Sequence, residues 1–66
     1  MTRWGRHTGP QAGQVWERKG DLWLIIEDIR YGYVEWDLDA FCLTTGKRGY
    51  WRVNDLRAQQ EWKQVT

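Results

Sequence analysis

Covalent catalysis needs a nucleophile set beside a base, and this chain of 66 residues offers few candidates. Its single cysteine, Cys42, falls on an apolar strand face, where a lone thiol behaves as a small hydrophobe. Its single histidine, His7, falls in an unpatterned N-terminal stretch. One Cys and one His are too few for a four-ligand zinc site, and a single Cys forms no internal disulfide. Glu35, Asp37 and Asp39 recur at every second position. Paired carboxylates can move protons or hold a hard cation, but at this spacing they form a solvated strand face. No glycine-rich phosphate loop is present. The chain is therefore expected to bind and not to catalyse, with no metal and no cofactor.

The binding chemistry lies in cations interleaved with aromatic rings. Arg3, Trp4 and Arg6 stand near the N-terminus; Lys47, Arg48, Tyr50 and Arg52 stand together later, with Arg57 beyond them. Cations engage phosphates and flat rings stack on unpaired bases. The first seven of these residues, Arg57 left aside, predict a weak, low-specificity nucleic-acid-binding module. The alternative is a protein–protein interaction module, an adaptor or a phage-type inhibitor of a host protein, acting through Phe41, Tyr50 and Arg52. Arg, Trp and Tyr are favoured anchors of protein interfaces as well.

The elements that must position these groups follow from periodicity. Leu22-Trp23-Leu24-Ile25-Ile26 is the only continuous apolar run. Its length, β-branched members and flanking turn residues predict a buried strand reaching about Ile29. Gly13–Lys19 predicts a strand before it, joined through a tight turn at Gly20-Asp21. Arg30-Tyr31-Gly32-Tyr33 predicts the next turn. From Val34 to about Leu43 a third strand alternates: Val34, Trp36, Leu38, Ala40 and Cys42 face the core, with Glu35, Asp37 and Asp39 opposite. Phe41 and Leu43 fall on the acidic side, so a bulge near Asp39 or Ala40 is expected to return them to the core.

Thr45-Gly46 predicts a hairpin into a fourth strand, Arg48–Val53. That register sets Leu43 opposite Arg48, Phe41 opposite Tyr50 and Asp39 opposite Arg52. It leaves Lys47, Arg48, Arg3 and Arg6 without acidic partners. Asn54 is a good helix N-cap and Asp55 suits the positive helix end. Two readings then stay open for the C-terminus: a helical turn followed by a fifth strand around Trp62, or one helix from Asp55 to Gln64. The strand is preferred because it covers an edge. Val15, Ile26, Trp36, Leu38, Trp51 and Val53 are the expected core.

Size bounds the rest. So short a chain buries only about 60% of its unfolded surface. With no staple available, six Trp, three Tyr and one Phe supply the apolar mass. Residues 1–12, with Gly5, Gly9 and Pro10, are expected to be a flexible basic arm contributing little to folding, and 13–66 the domain. Net charge is +1, unevenly spread. Residues 1–19 carry Arg3, Arg6, Arg18 and Lys19 against Glu17. Residues 20–46 carry Arg30 against six acids, and residues 47–66 carry five cations against Asp55 and Glu61. Acidic middle and basic ends predict pairing between strands. No stretch approaches the ~20 apolar residues of a membrane helix, and no apolar stretch follows Arg3 and Arg6 as in a secretory signal. A cytoplasmic monomer or small homo-oligomer is expected.

The order Gly13-Gln14-Val15-Trp16, Gly20-Asp21-Leu22-Trp23-Leu24-Ile25, Val34-Glu35-Trp36, Thr45-Gly46 and Asn54-Asp55-Leu56 resembles SH3-like small β-barrels. These are found in Tudor, KOW and chromo-type modules and in small phage or prophage proteins. The resemblance is one of architecture and turn spacing over residues 13–66. It implies a five-stranded all-β barrel with one short helical turn before the last strand, and a binding role. Tudor and chromo modules hold methylated side chains in an aromatic cage, for which Trp23, Tyr31, Tyr33, Trp36 and Glu35 would be the counterparts. Plasmid-type dihydrofolate reductases share the architecture. Their pore motif Val-Gln-Ile-Tyr is replaced here by Tyr50-Trp51-Arg52-Val53, so their activity is not implied.

Overall fold

The computed structural model describes residues 8–30 and 35–66. Its strands are β1 (Val15–Arg18), β2 (Asp21–Arg30), β3 (Glu35–Cys42), β4 (Arg48–Asn54) and β5 (Trp62–Gln64). One short helix, α1 (Asp55–Glu61), lies between β4 and β5, with Asn54 at its N-cap position. All pairings are antiparallel, in the order β4-β3-β2-β1-β5. The protein is all-β with one short helix before the last strand. Of the two C-terminal readings the strand is observed: Trp62, Lys63 and Gln64 pair with Arg18, Glu17 and Trp16.

The sheet is not closed by hydrogen bonds; β4 and β5 are its two edges. It curls until their side chains meet. Trp51 of β4 and Trp62 of β5 lie edge to face with centroids 5.4 Å apart, and Trp51 stands 4.6 Å from Trp23 of β2. Inside the curl, Trp16, Ile25, Trp36, Leu38, Ala40, Ala58 and Trp62 form the buried cluster, with Trp23, Trp51 and Val53 packed against it. Cys42 is also fully buried.

Several expectations change. The first hairpin turns on Lys19-Gly20, not Gly20-Asp21, since Arg18 pairs with Asp21. Both turn residues have positive φ, 51° and 85°, the geometry that matches strand twist in a two-residue loop. The second loop is Leu43–Gly46, not Thr45-Gly46, because Leu43 and Thr44 are tied to β2. Leu43 N donates to Leu22 O, and Leu22 N donates to Thr44 Oγ1. The β3–β4 register therefore slips by two: Phe41 faces Arg48, Asp39 faces Tyr50 and Asp37 faces Arg52.

The bulge lies in β2 rather than β3. Ile25 pairs with Ala40 and Glu27 with Asp39, leaving Ile26 as the extra residue. Phe41 and Leu43 consequently stay outside. Ile26, expected in the core, is 41% exposed, since Trp23 and Ile25 are the inward residues of β2. Val15, also expected in the core, is half-buried on the outer side.

The end of the expected arm is docked. Pro10 is fully buried and Gly9 is buried. Arg30 Nη2 donates to Thr8 O and Pro10 O, and Ala12 N donates to Asp28 Oδ1. Residues 1–7, including Arg3, Trp4, Arg6 and His7, lie outside the described residues.

Candidate interaction face

Strand alternation gives the sheet two sides. The inner side carries Trp16, Trp23, Ile25, Trp36, Leu38 and Trp51. Registers place the outer side in rows across the strands. One row runs Val15, Leu24, Phe41, Arg48. The row toward the hairpin tips holds Lys63, Glu17 and Leu22, with Leu43 beside Leu22. Beyond the bulge come Glu27, Asp39 and Tyr50, then Ile29, Asp37 and Arg52.

Two chemistries divide this side. Over β3 and β4 it is a charged network. Arg48 grips Asp39 with two bonds, Nε to Oδ1 at 3.0 Å and Nη2 to Oδ2 at 2.6 Å. Tyr50 Oη donates to Asp37 Oδ2 at 2.6 Å, and Arg52 Nε donates to Asp37 Oδ1 at 3.3 Å. Hydrogen bonding to Arg48 holds the Asp39 carboxyl below the usual carboxylate range, against the opposing effect of burial, and raises the Arg48 guanidinium in return. Around Leu22, Leu24 and Ile26 of β2, Phe41 of β3 and the start of the 43–46 loop the side is apolar and uncovered, with Glu17 and Glu27 at its margin. Leu22, Ile26, Ile29, Phe41 and Leu43 are all exposed, from 37% to 49%, with Leu24 half-buried among them.

The sequence-predicted site residues scatter accordingly. Arg48, Tyr50 and Arg52 are brought together on β4, but as partners of Asp37 and Asp39. The expectation that Arg48 lacks an acidic partner and that Asp39 neutralises Arg52 is overturned by the two-residue slip. Lys47 stays at the hairpin tip and makes no ion pair among the described residues. Phe41 and Tyr50 are diagonal neighbours rather than a facing pair. Leu22, Leu24, Ile26 and Leu43 were missed as surface residues. Their signal was present: the run 22–26 is apolar on both faces, and only one face is buried.

The aromatic rings of the inner side are capped by the chain's own arginines. Arg30 lies 4.2 Å from the ring centroid of the buried Trp36, and Trp23 is partly buried beside it; Tyr31 and Tyr33, the other rings of the expected cage, lie in residues 31–34, outside the described residues. At the seam between β4 and β5, a cleft of about 290 Å³ is lined by Arg18, Trp51, Asn54, Arg57, Glu61 and Trp62, among others. Arg18 sits 5.8 and 5.7 Å from the Trp51 and Trp62 centroids and is tied to Glu61 at 3.3 Å. Among the described residues no group of His, Cys, Asp and Glu could hold a metal ion, and no helix is long and apolar enough to cross a membrane. Compared with family models, curated proteins and solved structures, the chain matches none of them.

Proposed function

We propose that this chain is a non-enzymatic binding module that docks on protein through the outer side of β1, β2 and β3. The observation that carries the reading is the contiguity of Leu22, Leu24, Ile26, Phe41 and Leu43 on one solvent-facing side. Monomeric soluble proteins rarely leave large apolar patches uncovered, and a polar rim around one marks an interaction site. Here Glu17, Glu27, Arg48 and Lys63 supply the rim. An adaptor or inhibitor role fits so small a scaffold. The strand order, with a helix before the last strand, supports reading the domain as an SH3-like barrel. A reducing cytoplasm suits the buried free thiol of Cys42.

Nucleic acid is the second reading, and the electrostatics weaken it. Phosphate at Arg48 or Arg52 has to compete with carboxylates already within bonding distance. Of the expected cluster, Lys47 alone among the described residues is a cation with no ion pair.

A photo-crosslinking residue, benzoylphenylalanine, at position 41 tests the docking reading in cells expressing the chain, with position 60 on α1 as control. The reading expects protein adducts at 41 that are missing at 60. No adduct at 41, or the same adducts at both positions, overturns it. Titration of labelled single- and double-stranded DNA at low salt runs beside it. Saturable binding that Lys47→Ala weakens would put nucleic acid first.

A further inference from the structure

We propose that the cleft at the seam of β4 and β5 binds a small organic anion, an oxyanion carried on a flat ring. The site is separate from the docking face and does not depend on it. The observation that carries it is the state of Arg18. Strand alternation puts Arg18 on the inner side of β1 with Trp16, and its strand partner is Trp62. Its side chain is only 23% exposed, against 65% and 70% for Arg48 and Arg52. Charges drawn out of water are normally paired and hydrogen-bonded. Yet the Arg18 guanidinium donates no hydrogen bond among the described residues, and its one charged contact is Glu61, through a single nitrogen at 3.3 Å. The Trp51 and Trp62 centroids, at 5.8 and 5.7 Å, lie near the ~6 Å limit of cation–π attraction. A guanidinium carries five N–H donors in a fixed fork. None of its nitrogens is sealed from solvent, and Arg18 lines the cleft, so unfilled donors open into it.

Charge in the cleft favours the same class of ligand. Arg57 of α1 also lines it, is exposed, and makes no ion pair among the described residues. Arg52 is engaged by Asp37 on the outer side, so Arg18 and Arg57 stand against Glu61 alone. The arginines of the outer side differ in kind: Arg48 is closed by two bonds to Asp39, whereas Arg18 has one long contact and donors to spare. A planar fork matches a carboxylate or a phosphate with two parallel bonds. Glu61 touches only one nitrogen of that fork and is the ligand's sole acidic competitor among the lining residues.

The walls set the rest of the ligand. Trp51 and Trp62 stand at 81° to one another, and Trp51 is only partly buried. A flat ring packs on such an indole by stacking or edge to face. Small-molecule sites combine aromatic walls with a few convergent polar groups, in volumes from ~300 Å³ upward. At about 290 Å³ the cleft admits one ring and its oxyanion and little more. Affinity is bounded accordingly: so few ligand atoms give a dissociation constant of about 1 mM.

Amide and indole proton–nitrogen spectra of the full chain, titrated with phenyl phosphate and with benzoate to about 20 mM, test the proposal across that range. The Trp51 indole signal and the amides of 57–62 are expected to shift and saturate, and the tighter of the two probes names the oxyanion. Benzyl alcohol, the neutral ring, is expected to bind at least about tenfold more weakly. Arg18→Gln weakens binding about tenfold or more. Where that variant loses its spectral dispersion, Arg57→Gln, at an exposed position, is read in its place and weakens binding about threefold. Glu61→Gln tightens binding about threefold by removing the competitor, a direction that a purely structural latch between Arg18 and Glu61 does not give. No saturable shift with either anion, equal binding of benzyl alcohol, indifference to both arginine variants, or weaker binding by Glu61→Gln overturns the proposal. Inorganic phosphate that binds as well as phenyl phosphate overturns the assignment of the ring. Position 41 lies on the outer side of β3, so protein capture there stands or falls separately.

Discussion

Asp39 shows how one contact redistributes the chemistry of a surface. Its bidentate bond to Arg48 makes the carboxylate a fixed acceptor, and the guanidinium is thereby spent on the protein's own sheet. A carboxyl whose folded pKa lies below its unfolded one stabilises fully above the unfolded value, about 3.9, and loses that contribution as pH falls through the folded value. The gap in urea midpoint between the wild type and Asp39→Asn should therefore be present at about pH 6 and shrink as acid approaches about pH 2. A gap that persists there assigns the stability to packing. Gly49 has a different constraint. A Cβ added there would collide with the Trp51 ring, whose Cζ2 and Cζ3 would lie 2.9 Å away, and that ring is pinned by Trp23 and Trp62. Gly49→Ala is expected to cost about 1–3 kcal/mol by overpacking, read as a lower melting midpoint with altered tryptophan emission. Lys19 holds the left-handed region without being glycine. Lys19→Gly should relieve about 1 kcal/mol at that turn, and a loss of stability would mean that its side chain contributes.

Strand existence and order were legible in the sequence because periodicity and turn residues state them directly. Val15–Arg18, the apolar run, the alternation from Glu35 to Cys42 and the Arg48–Asn54 segment all emerge as strands. Asn54 stands at the start of the helix, and Trp62 opens the last strand. What was not legible was pairing. A Thr-Gly pair suggests a two-residue loop, but hydrogen bonds from Leu43 and Thr44 to β2 lengthen it and slip the register by two. A slip of two keeps every side chain on its side, so Trp36, Leu38, Trp51 and Val53 stayed on the core side while the predicted Asp39–Arg52 ion pair changed partners. The bulge at Ile26 was hidden for a related reason: an apolar run has no alternation in which an extra residue could show. The segment 8–12 was misleading by composition. Glycine and proline there read as mobile, yet Pro10 is buried and Arg30 grips the chain on both sides of Gly9. Removing residues 1–12 should lower the thermal midpoint by several degrees, since each kcal/mol lost shifts a domain of this size about 4–8 °C. An unchanged midpoint would show these contacts to be idle.

The molecule as a whole is a curled sheet with one well-filled side and one bare side. Its filled side has little reserve: a single core of this size rarely supplies more than about 3–5 kcal/mol. Leu38 is fully buried at its centre. Leu38→Ala should cost about 2–5 kcal/mol and leave most of the chain unfolded at room temperature, seen as collapsed dispersion in the amide proton spectrum; a well-dispersed spectrum would point to a larger reserve, such as a partner copy. The candidate face was half legible. The run 22–26 announced apolar residues on both sides of a strand, but nothing in a single sequence says which side is left uncovered. The way the two sheet edges meet has one more outcome. Trp23, Trp51 and Trp62 come from β2 and from both edges, with centroids 4.6, 5.4 and 6.4 Å apart. Indole transitions that close and that strongly inclined mix, so the far-ultraviolet dichroism should carry paired bands of opposite sign, and excitation should hop among the rings and depolarise their emission. The part of both signals that comes from Trp51 and Trp62 is lost when β4 parts from β5. The seam thus carries a built-in optical gauge of its own opening, with no label attached.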